Sequence, residues 1–95
     1  MSPDRPTFSI VVGTIQGWPE ICGSVASFEA AAARVGGEVV LMDASPFAAP
    51  DPSLLAPTTS WHRYPGLSVF QVRELGYRLA RAPVVGVTED HVARW

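Results

Sequence analysis

Residues 8–43 read FSIVVGTIQGWPEICGSVASFEAAAARVGGEVVLMD, and the reading of this stretch decides the fold. FSIVVG, residues 8–13, is a β-branched apolar run closed by glycine, the pattern of a strand buried on both faces. From Glu20 to Val35, the residues Ile21, Val25, Phe28, Ala32 and Val35 recur at spacings of three and four, the period of an amphipathic helix. Pro19 suits the first helical turn, where its missing N–H costs nothing, and Gly36-Gly37 supplies the stop. EVVLMD, residues 38–43, is a second apolar run ending in an acid. Strand, helix and strand of these lengths make a βαβ unit, which requires a right-handed crossover and a parallel pair.

Outward from this unit the chain becomes less regular and then regular again. Residues 44–66 hold five of the nine prolines and are expected to form one long loop, with a short helical turn near Leu54-Leu55. The helical period returns from Ser68 to Arg81 through Val69, Val72, Leu75, Gly76 and Leu79, and Pro83 ends it. VVGV, residues 84–87, is the last strand. The order β, α, β, loop, α, β predicts a three-layer α/β/α domain with a mostly parallel, Rossmann-like sheet. Ninety-five residues allow one small domain and no second.

Composition excludes several classes. The chain is 47% hydrophobic and 17% charged, with a formal net charge of −2. Seven basic side chains, all arginine, give no electrostatic footing for nucleic acid. The single cysteine, Cys22, has no partner for an internal disulfide or a zinc knuckle, and on the first helix it reads as a small core residue. The opening MSPDRP fits neither a signal peptide nor a membrane span, so a soluble, cytoplasmic protein without a transmembrane segment is expected.

Open parallel sheets bind ligands at the carboxyl ends of their strands. Here those ends carry Gly13-Thr14, Asp43, and the run Thr88-Glu89-Asp90-His91. Acids and a histidine gathered on one edge are the donor set of a hard-cation site, where Mg²⁺ or Mn²⁺ takes one or two carboxylates and completes its shell with phosphate oxygens. Each residue also has a plainer reading. Asp43 serves equally as a turn cap, and Thr88 as the N-cap of a solvated helix with Glu89 and Asp90 in its first turn. Arg73, Arg78 and Arg81 read as the wet face of the second helix, and Trp61-His62 as an aromatic anchor for the long loop or a stacking platform for a base.

Four segments in order resemble the nucleotide-binding half of an inverting family 2 glycosyltransferase of the GT-A fold. FSIVVGT is similar to the family's first-strand pattern SVVIPT, EVVLMDAS to EIIVVDDGS, RELGYRLA to RNxGxxxA, and VVGVTEDH to the strand that ends in DDD or DXD. From Arg73 to Glu89 the family spacing is kept without a gap. The resemblance implies a nucleotide-sugar site. Thr14 would sit beside the nucleotide, Asp43 would approach the base, Arg73 the base or phosphate, and Glu89, Asp90 and His91 would stand in for the metal-holding DXD. Asp90 and His91 are the implied ligands of a divalent cation, Mn²⁺ or Mg²⁺, that would bridge the diphosphate and act as Lewis acid for the leaving group.

The departures from the family pattern are specific. Ala44 stands where a second acid is common, Glu74 where the family has Asn, Ala82 where it has Gly, and His91 where the last acid falls, which favours Mn²⁺. A family domain also continues past its DXD with acceptor-binding strands and a base, so the expectation is a partial GT-A domain, inactive alone. A second polypeptide or self-association would then cover the open sheet edge. The alternative is a stand-alone α/β module that binds a cation or a partner without catalysis.

Overall fold

The computed structural model describes residues 6–82 and 85–89. Four strands, β1 (Ser9–Thr14), β2 (Glu38–Asp43), β3 (Thr59–Arg63) and β4 (Val85–Glu89), form one all-parallel sheet in the order β3-β2-β1-β4. Two helices, α1 (Trp18–Arg34) and α2 (Val69–Leu79), make the crossovers. The protein is thus a small parallel α/β domain.

The strands alternate as their apolar runs require. Val12, Val39 and Leu41 pack with Ile21, Val25, Phe28 and Ala32 of α1. The intervening residues, Val11, Val40 and Met42, pack with Val72 of α2 and with Ala44. The β1-to-β2 connection runs toward β3, and the β3-to-β4 connection runs back across the sheet to the far side of β1.

Local chemistry sets the helix limits. Pro19 lies in the first turn of α1 as expected, and Gly17 before it takes φ of 81°. An added Cβ at Gly17 would stand 2.9 Å from the Ser45 hydroxyl and 3.0 Å from the Phe47 ring, so glycine also lets the loop after β2 close over the start of α1. A capping box opens α2: Ser68 Oγ accepts from Gln71 N, and Gln71 Oε1 accepts from Ser68 N. Gly76 faces the sheet, where a Cβ would meet Val11 Cγ1 at 2.5 Å and Met42 Cγ at 2.7 Å. Glycine at this position brings α2 close to β1 and β2.

Three expectations need correction. The loop of residues 44–66 holds the expected short helical turn, at Pro52–Leu54, but it is not one loop, because it also contains the whole of β3. TSWHR lacks an apolar run because β3 lies at a sheet edge and only Trp61 packs into the α1-side core. Cys22 is exposed rather than in the core, since the buried stripe of α1 runs through Ile21 and Val25 and the next residue round turns outward. Val35 and Leu79, counted as helix-face positions, are 54% and 42% exposed because they stand at the ends of their helices. Among the described residues no helix is long and apolar enough to cross a membrane.

Candidate functional site

In the order β3-β2-β1-β4 the chain reverses direction between β1 and β4, the point at which parallel sheets open a crevice at their carboxyl ends. The register aligns the strand ends there. Thr14 pairs with Asp43, Asp43 with Arg63, and Gly13 with Glu89. Thr14, Asp43 and Glu89, expected to converge from sequence, therefore share one edge. Arg73 joins them from α2: its Cγ would touch a Cβ added to Gly13, at 2.8 Å, so its stem lies across the end of β1. The Arg73 guanidinium carbon stands 5.1 Å from the centre of the Phe70 ring, an exposed cation–π contact.

Thr14 and Asp43 have different surroundings. The Thr14 side chain is buried and its Oγ1 accepts from Gln16 N at 3.0 Å, shaping the turn into α1. Asp43 is fully buried. Its Oδ1 accepts from Ser45 N at 2.8 Å, its Oδ2 accepts from Trp61 Nε1 at 3.2 Å, and Arg63 Nε stands 3.8 Å from Oδ2. Three neighbours thus engage this carboxylate. In this arrangement Asp43 shapes the loop after β2 and anchors Trp61, the turn-cap reading of that position. Trp61 packs edge-on against Trp18, with centroids 5.8 Å apart and planes at 75°, so it anchors β3 to the start of α1.

Glu89 ends β4. Asp90 and His91, the residues expected to hold a metal, lie outside the described residues. Two carboxylates and an imidazole in succession are the right donor types for Mn²⁺. Asp43, the other acid on this edge, has its oxygens committed and adds no ligand. Among the described residues no group of three or more His, Cys, Asp or Glu comes together.

Sequence reasoning missed two polar junctions. Glu29 on α1 accepts at Oε2 from Ala56 N at 2.7 Å and from the Thr59 hydroxyl at 2.6 Å, tying the helix to the entry of β3. Glu38 opens β2 and is 5% exposed. It accepts from the Ser9 hydroxyl at 2.5 Å, from Arg81 N at 2.7 Å and from Arg81 Nε at 3.2 Å, while Ser9 Oγ accepts from Ala82 N at 3.2 Å. Burial alone would raise the Glu38 pKa, but the Ser9 hydroxyl and the Arg81 amide and guanidinium outweigh it and hold the carboxyl below its ordinary value. One signal for this junction was present in the sequence: a charged residue heading the apolar run VVLM needs a partner.

Fold and register together define a small parallel α/β domain whose strand order reverses between β1 and β4. Compared with known proteins, the chain matches no family model, no curated protein and no solved structure.

Proposed function

We propose that this chain is the donor-binding half of a family 2-type glycosyltransferase, holding a nucleoside-diphosphate sugar through Mn²⁺ or Mg²⁺ at the β1/β4 edge. One observation supports the reading. The parallel order β3-β2-β1-β4 sets Thr14, Asp43 and Glu89, from three of the family-like segments, in register at one edge, and Arg73, the first residue of the fourth, lies over Gly13. A three-layer α/β/α arrangement of Rossmann type belongs to the same reading, supported by core clusters built from alternate strand residues.

In this proposal Arg73 offers its guanidinium to base or phosphate, Glu89 closes the site, and Asp90 and His91 hold the cation. Thr14 and Asp43 fix the backbone of the crevice rather than touching ligand, since both are buried. The cation would neutralise charge on the departing diphosphate. The reading concerns donor binding; the acceptor and its base are assigned to no residue of this chain. β4 lies at one edge of the described sheet, where a second polypeptide or a second copy would add a strand.

Isothermal calorimetry of the purified chain with UDP and with GDP, each with and without Mn²⁺, tests the proposal. Metal-dependent heat with either nucleotide is the expected result. A folded, monodisperse sample that gives no heat with both would replace donor binding with the partner-binding module.

A further inference from the structure

A cavity of about 240 Å³ opens at the β3 edge of the sheet and runs from Glu38 at the start of β2 to His62 near the end of β3. Ser60 and His62 of β3 line it, together with Glu38, Leu79, Arg81 and Pro57. Ser60 and His62 stand in register with Val40 and Met42, and so on the sheet face that α2 covers over β2. The same face is apolar in β2 and polar in β3. A strand face meant for a further apolar layer would not carry serine and histidine; this one is suited to a polar occupant.

The lining groups decide which kind. Glu38 is committed, with Oε2 taken by the Ser9 hydroxyl and Arg81 N and Oε1 by Arg81 Nε. Arg81 spends its Nε on that bond, and its side chain, 62% exposed, carries two further nitrogens with N–H donors. The Ser60 hydroxyl and the His62 imidazole add donors beside it. The Arg81 charge is balanced by Glu38 in the same wall, and what the wall presents beyond that pair is a set of N–H and O–H donors, which matches an acceptor-rich group. The volume falls under the roughly 300 Å³ at which pockets for whole drug-sized ligands begin. It suits a single charged group whose short stem rests on Leu79 and Pro57.

We propose that this cavity binds a small oxyanion, a carboxylate or a phosphate monoester, on the terminal nitrogens of Arg81 with Ser60 and His62 as hydrogen-bonding partners. The proposal is independent of the donor site, with which it shares no residue.

The test is a two-dimensional NMR titration of the full chain at fixed ionic strength with inorganic phosphate, with acetate, and with chloride as control. Saturable shifts centred on Ser60, His62 and the Arg81 Nε–H are expected, with a dissociation constant on the order of 1–10 mM. Saturation by phosphate alone assigns a phosphate monoester, by acetate alone a carboxylate, and by both an unselective oxyanion site; each supports the proposal. Because Arg81 also holds Glu38, the deciding variant is Ser60→Ala/His62→Ala, which leaves that pair intact. It should weaken binding about tenfold, the effect of one good charge-assisted hydrogen bond. Shifts that stay linear in anion concentration, that chloride reproduces, or that the double variant leaves unchanged would overturn the assignment.

Discussion

Glu38→Gln tests whether the polar junction at the amino edge holds the sheet together. Two of its three hydrogen bonds converge on Oε2, from the Ser9 hydroxyl and Arg81 N, and the third reaches Oε1 from Arg81 Nε. A glutamine that keeps its oxygen at the first position retains two bonds but converts both from charge-assisted to neutral, a loss of about 1 kcal/mol each. Its amide nitrogen then faces the Arg81 donor. That guanidinium is 62% exposed, so water replaces the lost partner and the ion pair adds at most ~1 kcal/mol. The expected total is about 2–3 kcal/mol, a large share of the ~5–15 kcal/mol available to a domain of this kind. Urea denaturation at pH 7 should show a lower midpoint at unchanged slope. The pH dependence has a definite sign. Glu38 is held below its ordinary value of 4.5, so its stabilisation is fully present above about 4.5 and is lost as pH falls through the folded-state value. The gap between wild type and variant should therefore narrow on acidification below about 4.5. A gap smaller than ~0.5 kcal/mol at pH 7, within the range of ordinary surface substitutions, would refute the reasoning. So would a gap that stays constant down to the acid-unfolding limit.

Two glycines on helices should respond in opposite directions. Gly76→Ala should destabilise by about 1–3 kcal/mol in thermal unfolding, because the new methyl overlaps Val11 and Met42. Gly23→Ala in α1 should stabilise by roughly 0.5–1 kcal/mol, since an added Cβ meets nothing within 4 Å. Asp43→Asn places an amide nitrogen against Ser45 N or Trp61 Nε1, with an expected loss of about 1–3 kcal/mol and a changed near-ultraviolet circular dichroism signal from Trp61. Asp90→Ala should abolish the Mn²⁺ dependence of nucleotide heat in calorimetry, and unchanged affinity would remove Asp90 from the site.

The parts of the fold that were legible in sequence are those fixed by burial. β2 falls on the residues expected, 38–43, and β1 and α2 lie within one or two residues of expectation, because strands buried on both faces and a helix with one apolar stripe carry their environment in their pattern. β3 was hidden for the converse reason. It is held by one tryptophan, by the Glu29 contact to Thr59 and by backbone pairing to β2, and backbone pairing leaves no mark on side-chain hydropathy. Pro57 and Pro65 on either side reinforced the appearance of a loop. Of the edge residues, the strand-end positions of Thr14, Asp43 and Glu89 followed from strand order alone. The burial of Asp43 did not, because it depends on Trp61 and Arg63, which reach it only once β3 is placed beside β2.

That dependence bears on how the two ends of the sheet divide their work. At the amino end, side chains from β1, β2 and the segment after α2 converge on one carboxylate, so that edge is tied by groups distant in sequence. At the carboxyl end local turns, Thr14 to Gln16, Asp43 to Ser45 and Ser45 to Phe47, each spanning two residues, stand beside the longer ties of Asp43 to Trp61 and Arg63. Side-chain turns of this kind shape a loop without cross-linking it to other strands. Ile15 and Phe47, 62% and 53% exposed, stand on those loops. On the proposed reading the carboxyl edge carries the ligand, while the amino edge keeps the strands in register. A substitution at Glu38 should consequently cost stability first, and one at Arg73 should cost binding first, a separation that calorimetry and urea denaturation on the same two variants would resolve.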